Sequence, residues 1–354
     1  MLGILGDMNT THLTLIACAA IAAGGTTLSS SHRASEIRRT TFSFRESASM
    51  TEMQLTQNGE EMPDMMQMEQ DRGSTRNGSF IDTTLKVEDG QRLSFDRQYV
   101  DLEQVNSMSF SGPMGDDQSN DFELSSSLNG LRVRFDLEED EFKASYADEE
   151  EGEDEWLEGL EAELPWAAFI PEGEVEVGDS WELDAASFMQ AIDFGGDLVF
   201  TDGSDDSRAG MMEPPSGDDD VEYEGSITAK LTALEDIDGV SHAVISLVID
   251  ISSVHDLTEF MAEMAANPPE DVPAGMVMPD IDLMEIETAL SGEGTLSWNL
   301  AAGHLESLSV EYDTEVIETV VLSVEMGPDV MEMEQAMTFE GETSFTVEVE
   351  VTDE

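Results

Sequence analysis

Beyond Lys230 the chain carries no lysine or arginine, although acidic residues continue to its last position, Glu354. Any fold built from residues 231–354 must therefore direct its carboxylates to solvent, because that region holds no lysine or arginine to pair with a buried one. The residue pattern meets this demand. In Phe345–Val351 the apolar side chains alternate with Thr346, Glu348 and Glu350, the period of a strand with one wet face. A sheet with one acidic face and one apolar face follows from the sequence alone.

The imbalance extends through the whole molecule, with 80 acidic residues against 14 basic in 354 and a formal charge of −66. Twelve of the 14 basic residues lie at or before Lys143, and only Arg208 and Lys230 follow. Such a surface excludes nucleic acid as a partner, since binding it requires cations that displace counterions. It equally disfavours anionic lipid headgroups. Self-repulsion of this size is tolerable where ions screen it, the Debye length falling from about 10 Å at 0.1 M salt to about 3 Å at 1 M. The charge thus reads as adaptation to a salty exterior, halophilic or marine, with a cation-collecting surface as the alternative. A hydrophobic share of 40% still supplies a core, and a single cysteine excludes a disulfide framework.

Leu13–Ala23 is an apolar run of 11 residues followed by small ones. That suits the core of a signal peptide and is too short to span a bilayer, so residues 1–25 read as a leader and no transmembrane span remains after its removal. No Lys or Arg precedes the run, and initiation at Met8 would give a more ordinary leader. Leu15-Ile16-Ala17-Cys18 also matches a lipobox, making Cys18 a candidate for lipidation, although apolar sequence continues past it. Cleavage near Ala22–Gly25 is the preferred reading. The expected location is the periplasm, the outer envelope or the exterior, with lipoprotein anchoring as a variant.

Three regions follow the leader: an N-terminal β region (26–147), an acidic linker with short helices and a loop (148–220), and a C-terminal antiparallel β region (221–354) that could continue the sheet of 40–147. Leu131, Val133, Phe135 and Leu137 alternate with charged residues, and Asn129-Gly130 before them predicts a hairpin with Phe122–Leu128. Ile227–Glu235, Asp238-Gly239 and His242–Ser252 form a second hairpin. Leu296–Leu300 and Leu308–Tyr312 flank a third, and Val320–Met326 adds a strand. Ala243, Ile245, Leu247, Ile249 and Ile251 share one face of their strand while Val244 and Val248 occupy the other, arguing for a central position. Gly292-Glu-Gly294 reads as strand-edge geometry. Helices are predicted over Leu257–Ala265, with Asp256 as N-cap, over Glu155–Leu164 and over Ala185–Ile192. Asp148–Glu155, Asn58–Asn77 and Thr201–Asp220 read as linkers or long loops.

The run Pro171-Glu-Gly-Glu-Val-Glu-Val-Gly-Asp-Ser-Trp181, the Gly225–Leu231 and Asp238–Ile245 hairpin, and Gly292–Leu300 with His304–Ser307 resemble a family of uncharacterised secreted bacterial β-proteins. The resemblance spans roughly residues 165–352 and contains no catalytic motif. Such proteins are similar in outline to the curved sheets of lipoprotein carriers, which implies a concave face able to hold an acyl chain. That step is an analogy of fold.

Catalytic signals are weak. No nucleophile elbow, zinc-binding helix or phosphate loop is present. Of His32, His242, His255 and His304, three fall in or beside turns or strand ends, and the histidines read as turn or surface residues. With 80 acids, any single carboxylate pair carries no information. A polysaccharide hydrolase would need two carboxylates joined in a cleft to Trp156, Trp166, Trp181 or Trp298, which core packing explains better. Asp116, Asp117 and Asp121, and Asp202, Asp205 and Asp206, offer the hard oxygen ligands that calcium takes, at weak surface sites without EF-hand spacing. Met331, Met333 and Met337 alternate as on a strand, and methionines could form a flexible apolar lining.

The resulting expectation is a mainly β protein: a curved antiparallel sheet or half-barrel with one or two short covering helices. Its expected role is non-enzymatic, an exported, envelope-associated binding or scaffold module without a cofactor beyond weak calcium. An apolar small molecule or lipid would lie on a face containing Ile245, Leu247, Ile249, Phe260, Met261 and Met264, and envelope components are the other partner class. The alternative is an acidic, calcium-binding structural protein of the cell surface.

Overall fold

The computed structural model describes residues 25–62, 69–111, 118–148, 152–164, 166–171, 173–192, 195–196, 198–201, 221–237, 239–266, 280–326 and 329–353. In chain order the strands of the first half are β1 (Thr26–Thr27), β2 (Glu36–Gln57), β3 (Glu60–Glu61), β4 (Glu69–Glu88), β5 (Gln91–Ser111), β6 (Gln118–Ser126), β7 (Arg132–Glu138) and β8 (Glu141–Tyr146). The middle holds β9 (Glu174–Val175), β10 (Ser180–Leu183), helix α1 (Ala185–Ile192) and β11 (Phe200–Thr201). The second half comprises β12 (Glu222–Ile237), β13 (Val240–Asp256), helix α2 (Thr258–Ala266), β14 (Asp280–Asn299), β15 (His304–Met326) and β16 (Asp329–Asp353).

Fourteen of these strands form one antiparallel sheet, eleven of them in the order β10-β12-β13-β14-β15-β16-β2-β4-β5-β6-β11, with β3 paired to β2 and β7 paired to β5 and β8. The sheet is curved and open, with β16 paired to β2 over most of its length, so both halves of the chain share it. At about 3.3 Å per residue, the 25 residues of β16 extend to at most roughly 80 Å. No single core can cover strands of that length. Residues 152–201 cross the concave side and end on both edges, β10 pairing with β12 and β11 with β6. A smaller buried cluster lies beyond this strap, and the main core lies beneath it.

There the inward side chains of Ile227, Ala229, Leu231, Ile245, Leu247, Ile249, Leu296, Leu308, Val310 and Phe345 meet Trp166, Phe169, Phe188, Ala191 and Leu198 of the strap. Each buried aliphatic contributes about 2 kcal/mol by leaving water. Phe95 stacks on Phe135 at 4.9 Å and 15°, and Phe169 meets Phe188 edge-on at 5.9 Å. α1 starts where Asp184 accepts a hydrogen bond from the Ser187 backbone amide at 2.8 Å. At the proximal end, where β4 finishes and β5 starts, Asp82 accepts bonds from Arg97 Nε (2.8 Å) and Arg92 Nη1 (2.8 Å) inside the protein.

Several expectations need correction. β6 and β7 do not form a hairpin. Both pair with β5, at Glu103–Phe110 and Ser94–Gln98 respectively, so Asn129-Gly130 bridges two partners of one strand. The reason is local: the Asn129 side chain accepts from Leu102 N–H at 2.7 Å and donates to Leu102 C=O at 2.9 Å, supplying the missing rung. Glu155–Leu164 is not a helix but a 3-10 turn at Asp154–Leu157, because Gly159 adopts φ +75° and breaks the period. Trp156, Leu157, Leu160 and Leu164 pack on the core nonetheless. Part of Asn58–Asn77, expected as loop, belongs to β4, whose polar residues are held by Ser43–Asn77, Ser49–Asp71 and Ser74–Asn106 hydrogen bonds.

Gly292 and Gly294 sit on an interior strand rather than an edge. A Cβ at Gly292 would collide with the Glu311 carbonyl and Tyr312. β13 is interior but covered on one side only, leaving Val248 and Val254 exposed. His242 and His304 are buried rather than on the surface.

Candidate functional site

Beyond the strap the concave face continues uncovered by it, and sheet register decides what lines it. Val316 of β15 lies opposite Phe339 of β16, and Phe339 opposite Met50 of β2. One step further out Ile286 faces Glu318, which faces Met337. Ala48, Val316 and Phe339 form a second apolar cluster, separate from the main core, with Met50, Ile286 and Met337 packed on it. By alternation Val320 and Leu322 of β15, and Met333 and Met331 of β16, carry the same face outward, and all are half-buried. The result is a long apolar face rich in methionine, a flexible side chain that adapts to irregular partners.

Among the described residues, one ion pair crosses this face. Arg72 Nη1 lies 2.7 Å from Glu318 Oε1, and its guanidinium sits 4.1 Å from the centre of the Phe339 ring. At the border with the main core, burial and then the Glu46 charge push the Tyr312 hydroxyl well above its ordinary range, keeping it protonated. Where strap and open face meet, a groove of about 210 Å³ is bounded by Met189, Tyr223, Ile251, His255, Ile286 and Leu290. These groups offer non-directional apolar contact with a few polar tips.

The sequence-predicted ligand residues separate into two places. Ile245, Leu247 and Ile249 are each at most 1% exposed, inside the main core. Phe260 is exposed and Met261 half-buried on α2, which packs against β14, and neither belongs to either core cluster. From Ile249 the chain runs nine residues, about 30 Å of strand, before α2 begins, so the two sets do not share a site. The side chain of Met264, together with Cys18, Asp116, Asp117, Asp202, Asp205 and Asp206, lies outside the described residues. Asp121 is an exposed residue of β6. Among the described residues no group of three or more His, Cys, Asp or Glu is placed to hold a metal.

Sequence reading missed Met50, Ile286, Val316 and Phe339. The signal available was parity in β16, where Met331, Met333, Met337 and Phe339 all occupy odd positions. No described helix is long and apolar enough to cross a membrane, which leaves spanning by strands unaddressed. His242 Nε2 pairs with Glu306 at 2.9 Å, and His304 Nδ1 with the Leu305 carbonyl at 2.6 Å, so both rings have structural partners.

No protein-family model matches the chain, and no curated protein matches it. Among solved structures, the InvG secretin domain β-barrel from the Salmonella SPI-1 injectisome is similar at 6% identity and a TM-score of 0.15. The alignment covers 90% of this chain and 63% of that one, and a likeness so slight carries no argument.

Proposed function

We propose that the protein is a non-enzymatic, exported, envelope-associated binding module that holds an apolar small molecule or lipid on the distal part of its concave face. The observation that carries this reading is the apolar face beyond the strap, where Met50, Ile286, Val316, Met337 and Phe339 cluster apart from the main core. Met50, Ile286 and Met337 are half-buried around the buried Ala48, Val316 and Phe339, and a bound apolar partner would take their remaining apolar area out of water. The expectation of export comes from the apolar run Leu13–Ala23.

The test is native mass spectrometry and solvent extraction of protein purified from its own host. A co-purifying apolar species, lost in Met337→Glu while the melting temperature is kept, supports the reading. Absence of any such species, together with failure to bind a fluorescent fatty acid, overturns it. Mass spectrometry of the mature N-terminus tests the leader separately.

A further inference from the structure

The opposite, proximal end of the half-barrel holds a pocket of about 80 Å³ whose walls include His32, Arg38, Asp82, Arg92, Trp298 and His304. In a chain of net charge −66, this is where arginines gather in the interior. Arg97 is fully committed, donating to both Asp82 oxygens and to the Glu161 and Ala162 carbonyls. Arg92 gives its Nη atoms to Asp82 (2.8 Å) and to the Ala162 carbonyl (3.3 Å), and Arg38 gives Nη2 to Glu36 (2.7 Å).

Three buried donors are left over. Arg38 Nε, Arg92 Nε and Trp298 Nε1 have no hydrogen-bond partner among the described residues, and all three residues line the pocket. Arg92 and Trp298 are only 5% and 1% exposed, so water outside the pocket does not serve them. A buried donor left unmade costs about 1–3 kcal/mol, and more when it is charged. Around the pocket Arg38, Arg92 and Arg97 face Asp82 and Glu36 in the interior, with Glu163 supplying a third carboxylate from the exposed rim. His32 and His304 remain neutral, since burial and nearby arginines lower both.

One group satisfies the three orphaned donors together. We propose that the pocket binds a small oxyanion, a carboxylate or phosphate group, accepting from Arg92 Nε, Arg38 Nε and the Trp298 indole N–H. The volume suits one such group and excludes an acyl chain. The anion is therefore either free or the end of a longer molecule lying outside. This site is independent of the methionine-lined face and stands or falls without it.

The full chain is titrated with sodium phosphate, sodium acetate and sodium octanoate at ionic strength held constant with sodium chloride, followed by calorimetry and by tryptophan fluorescence. Trp298→Phe removes the indole donor while keeping the ring, and Arg38→Gln removes a part-buried guanidinium. Saturable binding of phosphate or acetate by the wild type, about tenfold weaker in both variants, supports the proposal. Trp298→Phe also opens a cavity in the core, so its unliganded melting temperature is expected below that of the wild type, and anion binding is read at a temperature where both are folded. Octanoate binding more tightly than acetate identifies the group as the end of a longer molecule, and equal affinity identifies a free anion. The proposal is overturned if neither anion binds above the chloride background, or if Trp298→Phe binds like the wild type.

Discussion

Asp82 is the residue on which the proximal end of the molecule depends. Burial alone would raise its carboxyl, but the adjoining Arg97 and Arg92 charges and their hydrogen bonds outweigh that and hold it at about 2. Because the folded value lies below the unfolded one, the associated stability is present above about pH 4. It is lost as pH falls toward 2, and amounts to about 2 kcal/mol. His32 adds an earlier loss. Its folded value is lowered to about 3, chiefly by burial, so protonation favours the unfolded chain as pH drops below its ordinary 6.5. Melting temperature measured in high salt should therefore decline gently below pH 6.5 and more steeply below pH 4. An Asp82→Asn variant should lose the steeper phase and be less stable at neutral pH by about 3–5 kcal/mol, since two buried guanidiniums lose their counter-charge. None of this was legible in the sequence, because Asp82, Arg92 and Arg97 are unremarkable members of alternating strands until register places them together.

Among the elements, β5 shows best what local pattern can and cannot convey. It is one strand of 21 residues that changes partner near Asp101, where φ is +52°. The Asn129 side chain supplies a rung to Leu102 at that point. Asn129→Ala should leave a part-buried amide and carbonyl unmade and cost about 1–3 kcal/mol, read as a shifted denaturation midpoint with unchanged slope. The Asn-Gly pair was correctly read as a turn, since Gly130 does adopt φ +83°. Its partners were misread, because a hairpin and a change of partner share the same local dihedral demand. Gly292 tells a similar story. Gly292→Ala should destabilise the protein by about 2 kcal/mol or more, since β15 cannot withdraw Tyr312 without breaking its ladder to β16. Equilibrium unfolding of the variant checks this.

At the level of the whole molecule, the acid excess becomes specific once strands are in register. Glu293 lies opposite Glu311, Asp313 opposite Glu342, and Glu315 opposite Glu340, all exposed. Like charges directly opposed on neighbouring strands are destabilising, and screening relieves them. Stability should rise with salt, similarly for sodium and potassium chloride. Glu315→Lys should raise the melting temperature at low salt and do little near 1 M, which differential scanning calorimetry at two salt concentrations would show. Sequence by itself determined the wet acidic faces of the alternating strands, the short helices α1 and α2 and the mainly β class, because period-two alternation and helical spacing are local properties. Tertiary structure alone decided that the strands outrun their cover, that Ile245, Leu247 and Ile249 belong to the main core while Phe339 and the half-buried Met337 form a second cluster apart from it, and that scattered arginines converge on Asp82. Those outcomes depend on register and on where residues 152–201 cross the sheet. Both are set by contacts between positions far apart in the chain, which no local pattern encodes.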